Sequence, residues 1–144
     1  MKTILLIHGP NLNLLGKRDV NHYGHLTLAK LTKQVTNYSR TSGLKIKSFQ
    51  SNYEGRLIDF LQKYSGSAAG IIINPGALTH YSYALHDALL DSKLPAVEVH
   101  LSDLATRETW RKKSVTAAAC KKVISGKKIR GYLEALDFLR KSII

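Results

Sequence analysis

Met1-Lys2-Thr3-Ile4-Leu5-Leu6-Ile7-His8-Gly9-Pro10-Asn11 opens the chain with an apolar run, Ile4 to Ile7, that ends abruptly at His8-Gly9-Pro10-Asn11. The run is too short to cross a membrane, and no small-residue cleavage site follows it. It reads as a buried first strand rather than a targeting segment. Four more short apolar runs follow it: Leu44 to Phe49, which alternates, Ala69 to Ile73, Ala96 to Val99, and Val123 to Ile124.

Between the runs the period changes from two to that of a helix. Leu28, Leu31, Val35 and Tyr38 are spaced 3, 4 and 3, which is one helix face. Ile58, Leu61 and Tyr64 make a second, with Ser51 and Glu54 read as a capping box in front of it. Ala84, Leu85, Ala88 and Leu89 make a third, with Thr79 as its N-cap. Tyr132, Leu136, Leu139 and Ile143 make the last. Strands alternating with helices imply right-handed crossovers and a parallel sheet covered on both faces. The crossover from Leu101 to Lys122 has the weakest pattern. No repeat, low-complexity stretch or linker interrupts the chain, so the expectation is one α/β domain over residues 1–144: a flavodoxin-like, doubly wound, five-stranded parallel sheet.

The 144 residues suffice for a core without disulfide staples. One cysteine, Cys120, excludes an intrachain disulfide and a cysteine-rich metal site, and fits a reducing cytoplasm. The formal charge is +12, and nine of the 22 basic residues fall between Arg107 and Arg130, where Glu108 is the only acid. Such a stretch suits a polyanion or nucleic acid. Aromatic residues are not interleaved with these charges, as a stacking platform for single strands requires. The favoured reading is a solvated surface with a few cations that hold an anionic substrate, without specific nucleic-acid binding.

Ligands of such a sheet bind outside the carboxyl ends of the strands, at the topological switch point. Three segments there carry chemistry. Gly9-Pro10-Asn11-Leu12-Asn13-Leu14-Leu15-Gly16 runs on through Arg18 to Tyr23-Gly24, far longer than an ordinary strand-to-helix loop. Gly16 and Gly24 bracket it as hinges of a mobile lid over about residues 16–24. A phosphate loop is disfavoured because no Gly-Lys-Ser/Thr ending is present. The second segment is Asn74-Pro75-Gly76-Ala77-Leu78-Thr79-His80, followed by His86-Asp87-Ala88. The third is Glu98-Val99-His100-Leu101-Ser102-Asp103, followed by Arg107 and Arg111.

In this order the segments resemble type II 3-dehydroquinate dehydratase. The matching pieces are Gly-Pro-Asn-Leu-Asn-Leu-Leu-Gly from Gly9, the Arg18-to-Tyr23-Gly24 spacing, and Gln50-Ser51-Asn52 with Glu54-Gly55. Asn74-Pro75-Gly76-Ala77 with Thr79-His80, Asp87-Ala88-Leu89, and Val97-Glu98-Val99-His100-Leu101-Ser102 complete the set. The chain departs from the family pattern at His8 (usually Asn), Asp19-Val20 (usually Glu-Pro), Asp103 (usually Asn) and Lys127-Lys128 (usually Phe-Gly). Asp19-Val20 implies a more mobile lid, and Lys127-Lys128 alters local packing or a subunit contact.

The resemblance implies trans dehydration of 3-dehydroquinate to 3-dehydroshikimate through an enolate, in the shikimate route to aromatic compounds, with no cofactor and no metal. It implies Tyr23 as the base, Arg18 as the cation that lowers the Tyr23 pKa, and Asn11 as the group that stabilises the enolate, through a water. His100 is implied as the proton donor, with Glu98 able to orient or charge it. Asn74, His80, Asp87, Arg111, Leu101 and Ser102 are implied to bind substrate, the last two at its carboxylate, with Asp87 reaching from a neighbouring subunit. The family forms trimers assembled into a dodecamer.

The chemistry is feasible on general grounds. A free tyrosine, with a pKa near ~10, costs about 4 kcal/mol to ionise at pH 7. A guanidinium within ~4–6 Å typically lowers such a pKa by ~1–3 units. The rival architectures fail on particular residues. A type I dehydroquinase needs a larger barrel. A phosphoreceiver needs acids where His8-Gly9 stand and an aspartate where Asn74-Pro75 stand. A flavodoxin needs a Ser/Thr-Gly phosphate loop in place of Pro10-Asn11-Leu12. A non-catalytic basic binding module on the same scaffold is the remaining alternative, and intact Arg18, Tyr23 and His100 argue against it.

Overall fold

A computed structural model describes residues 1–143. Five parallel strands form one sheet: β1 (Lys2–His8), β2 (Leu44–Gln50), β3 (Gly70–Asn74), β4 (Ala96–His100) and β5 (Lys122–Ser125), in the spatial order β2-β1-β3-β4-β5. The helices are α1 (Val20–Tyr23), α2 (Leu28–Thr41), α3 (Glu54–Tyr64), α4 (Tyr83–Asp91) and α5 (Ile129–Ile143). Strand order reverses between β1 and β3, which leaves a crevice at their carboxyl ends.

Alternation along β1 divides the core in two. Ile4 and Leu6 join Leu31 and Val35 of α2 and Tyr132, Leu136 and Leu139 of α5 on one face. Leu5 and Ile7 join Leu57, Phe60 and Leu61 of α3 and Leu85 and Leu89 of α4 on the other. Both faces of β1, β3 and β4 are buried, so these strands read as unbroken apolar runs rather than alternating ones. Each such leucine or isoleucine contributes roughly 1.5–3 kcal/mol. β2 lies at an edge and is mostly exposed or half-buried, hence its Lys45 and Lys47.

Two expected caps differ. Ser51 Oγ accepts the N–H of Tyr53 (3.0 Å) and does not cap α3, whose Glu54 instead accepts from Ser82 Oγ at 2.5 Å. The N-cap of α4 is Ser82, which accepts from Leu85 N–H at 3.0 Å. Thr79 is fully buried three residues earlier, bonded to Ser114 and Thr116. The buried face of α3 is set by Leu57, Phe60 and Leu61, with Ile58 and Tyr64 at its margin. The weakly patterned crossover after β4 holds only short 3-10 turns, at Leu104–Thr106, Thr109–Lys112 and Ala117–Ala119. No helix among the described residues is long and apolar enough to cross a membrane.

Candidate active site

The loops after β1 and β3 interlock at the crevice. Gly9 N–H donates to the Asn74 carbonyl (2.7 Å), and a Cβ at Gly9 would collide with the Pro75 carbonyl oxygen. Gly76, at φ +61, would likewise strike the Pro10 carbonyl. Only glycine permits this approach. Gln50 Nε2 donates to the Gly9 carbonyl (3.2 Å), and Asn52 Oδ1 accepts the Asn11 N–H (2.9 Å), so β2 braces the same loop. Asn11 is held at φ +70 and its side chain lines the cleft.

Residues 16–24 contribute Arg18 and Tyr23 to the lining of that cleft. Gly16 and Gly24 both have positive φ, +93° and +76°. Between them α1 is capped by Asp19, whose carboxylate accepts the Asn21 N–H at 2.9 Å. The departure from Glu-Pro therefore supplies a local hydrogen bond. α1 ends at Tyr23, which is half-buried in the cleft.

Two guanidinium groups meet this tyrosine in different ways. Arg18 stacks on the ring face, 3.7 Å from its centroid. Arg107 Nη1 donates to the Tyr23 hydroxyl at 2.7 Å and to Ser102 Oγ at 3.2 Å. The sequence places Arg107 after the Glu98-to-Asp103 segment and within a basic stretch, with no role of its own. Its one legible signal is that it follows the end of β4, the strand that carries His100. Burial pulls the Arg18 pKa down from its usual value; Tyr23 opposes this, and the charges of Arg107 and Arg111 add to it. Three cations thus crowd one cleft, a field that suits anions.

On β4, His100 is buried with Nε2 2.9 Å from Glu98 Oε2. Asn74 is also buried: Oδ1 accepts the Gly76 N–H (3.0 Å) and Nδ2 donates to the Tyr132 hydroxyl (3.2 Å), which fixes the amide orientation. Burial pushes the Tyr132 phenol well up, so it stays neutral. His80 Nδ1 lies 2.5 Å from the Lys113 carbonyl, with its ring edge-on to Trp110. Arg111 Nε donates to Glu108 at 2.5 Å.

The fold therefore brings Asn11, Arg18, Tyr23, Asn74, His80, His100, Leu101, Ser102 and Arg111 to one cleft, and adds Arg107. It does not bring Asp87, which lies exposed on α4 beside His86, outside the cleft of its own chain. Among the described residues, no three His, Cys, Asp or Glu side chains are grouped to hold a metal ion.

His8, at the end of β1, is buried with Nδ1 unpartnered; Nε2 lies 3.5 Å from Thr32 Oγ1. Burial lowers its pKa to about 4, so it is neutral at pH 7. Lys127 pairs with Glu134 (2.9 Å), and Lys128 holds a positive φ of 53° before α5.

Known proteins resemble this arrangement over nearly its whole length. The family described as Dehydroquinase class II matches residues 2–140. The 3-dehydroquinate dehydratase of Thermotoga maritima is 46% identical over 140 residues, 97% of this chain and 96% of that protein. The crystal structure of type II dehydroquinase from Butyrivibrio crossotus superposes with a TM-score of 0.93 at 41% identity, covering 96% of this chain and 97% of that one. That of type II dehydroquinase from Propionibacterium acnes gives 0.94 at 35% identity, covering 98% and 97%. With the match extending from the first strand into the last helix, the chain belongs to the dehydroquinase class II family.

Proposed function

We propose that this chain is a hydro-lyase that removes water from 3-dehydroquinate to give 3-dehydroshikimate, by trans elimination through an enolate, within the shikimate pathway. The observation that carries the reading is one cleft holding a tyrosine hydroxyl under a guanidinium donor and a buried histidine on a carboxylate. A proton beside a ketone is weakly acidic, so its removal needs a base on one side and stabilisation of the oxyanion on the other.

Tyr23 is the base. The hydrogen bond from Arg107 and the stacked charge of Arg18 stabilise negative charge on its oxygen as the phenolic proton leaves. Asn11 orients a water toward the developing enolate oxygen. His100 protonates the departing hydroxyl, with Glu98 fixing its ring, and the oriented Asn74 amide holds that hydroxyl. The backbone N–H groups of Leu101 and Ser102, with the Ser102 hydroxyl, receive the substrate carboxylate; clustered backbone donors suit an anion. His80 and Arg111 contact the ring hydroxyls. Residues 16–24 act as a lid hinged at Gly16 and Gly24 that excludes water when closed.

We assign Asp87 to a neighbouring subunit's substrate, in trimers assembled into a dodecamer. It stands outside its own cleft, and the residues before it, Tyr81 and Tyr83, are 63% and 61% exposed. Large apolar side chains exposed together suit a contact between copies. The lone half-buried Cys120, its thiol pushed up to about 12 by burial, fits a reducing cytoplasm.

The direct test follows ultraviolet absorbance after 3-dehydroquinate is added to the purified protein. The product is a conjugated enone, the substrate is not, and absorbance should rise without added cofactor or metal. A protein that stays inert towards this substrate contradicts the reading.

A further inference from the structure

Glu98 is fully buried, and three side chains bond its carboxylate. His100 Nε2 and Ser114 Oγ each lie 2.9 Å from Oε2, and Thr116 Oγ1 donates to Oε1. Behind the two hydroxyls, Thr79 Oγ1 lies 2.7 Å from each. A hydroxyl has a single proton. Ser114 and Thr116 give theirs to a carboxylate that has none to return, so Thr79 donates to one of them and the cluster is satisfied.

The backbone holds the cluster in register. Val115 N–H donates to the Thr79 carbonyl (2.7 Å), and Ala117 N–H to Ser114 Oγ (3.0 Å). One residue earlier, the Lys113 carbonyl meets His80 Nδ1. The segment 113–116 therefore reaches two cleft histidines, His80 directly and His100 through Glu98.

Burial by itself would raise the Glu98 pKa. The hydrogen bond and charge of His100, then the hydroxyls of Thr116 and Ser114, bring it below the usual carboxylate range. The Glu98 charge adds to burial in raising the Cys120 thiol, which stays neutral.

We propose that Ser114 and Thr116 are positioning residues for the acid half of the dehydration: their hydroxyls hold Glu98 as a carboxylate in one orientation, and Glu98 holds His100 with Nε2 inward, leaving Nδ1 for the departing hydroxyl. This rests on His100 being the proton donor, as assigned above. A neutral His100 in this arrangement carries its proton on Nε2, so the transferable proton is the one on Nδ1 of the imidazolium.

The test compares Ser114→Ala, Thr116→Val and the double variant with Thr116→Ser, which keeps the hydroxyl. kcat should fall about tenfold or more in each single variant and further in the double, while KM stays within about threefold; a lost bond to a buried charge sets this scale. Thr116→Ser should restore kcat. A folded double variant with kcat within twofold of wild type overturns the proposal, as does a change confined to KM. Should the valine variant not fold, nitrogen-15 NMR of the wild-type histidines decides: His100 protonated on Nε2 supports the arrangement, and a neutral tautomer protonated on Nδ1 overturns it. Wild-type protein inactive on 3-dehydroquinate refutes the functional reading instead, and the NMR result still judges the geometry.

Discussion

Replacing Arg107 with methionine keeps much of the side-chain volume but removes the 2.7 Å hydrogen bond to the Tyr23 hydroxyl and the 3.2 Å bond to Ser102 Oγ. The Arg107 side chain is only 8% exposed, so water screens the interaction weakly. Ionising an ordinary tyrosine at pH 7 costs about 4 kcal/mol, and a hydrogen bond to a charged group contributes roughly 1.5–3 kcal/mol. Losing it should therefore lower kcat by about 10- to 150-fold at pH 7. KM should rise a few-fold, because Ser102 loses a partner at the proposed carboxylate site. The decisive assay is kcat and KM of the purified variant at pH 7, which separates lost transition-state stabilisation from lost substrate binding. Arg107→Lys keeps the charge without the fork and should fall between the two. A methionine variant with kcat within threefold of wild type would refute the role given to Arg107.

Borohydride added with substrate should leave no mass on any lysine and full activity, because an enolate route forms no imine; a substrate-sized adduct overturns that route. Native mass spectrometry should give a multiple of three chains, most plainly twelve, and Asp87→Ala should lose roughly five- to a hundredfold in kcat/KM; a fully active monomer would show that Asp87 serves no neighbour. His8 predicts a pH dependence of stability. Its folded pKa, about 4, lies below the unfolded 6.5, so its contribution is complete above pH 6.5 and is lost as pH falls towards 4. The loss is worth about 3 kcal/mol. Chemical denaturation at pH 7 and pH 4.5 should show His8→Asn losing less stability than wild type, and equal losses would contradict the burial argument.

The strands and the main helices were legible because the residues that form them repeat with the period of the element. Ile4 to Ile7 and Ala69 to Ile73 announce strands buried on both faces, and Leu31 with Val35, or Leu136 with Leu139, announces a helix face. Caps were less legible. Thr79 and Ser82 are equally able to cap a helix, and what separates them is a tertiary contact, the fit of Thr79 against Ser114 and Thr116. The site was legible as a set of strand ends, apart from Arg107. Its partner Tyr23 is 84 residues away, and the crossover that carries it has no regular period to show which side chains turn inward. Ser114 and Thr116 escaped notice for the same reason. A polar residue in an irregular segment gives no sign of burial until the acid it serves is placed.

Tyr23→Phe removes one oxygen and leaves the ring that Arg18 stacks upon, so it isolates the hydroxyl as the base. Turnover of 3-dehydroquinate, followed by the ultraviolet absorbance of the enone, should fall by about 10²-fold or more in kcat, with KM nearly unchanged. Near-normal kcat in this variant, at any pH where the wild type is active, would rule out Tyr23 as the base.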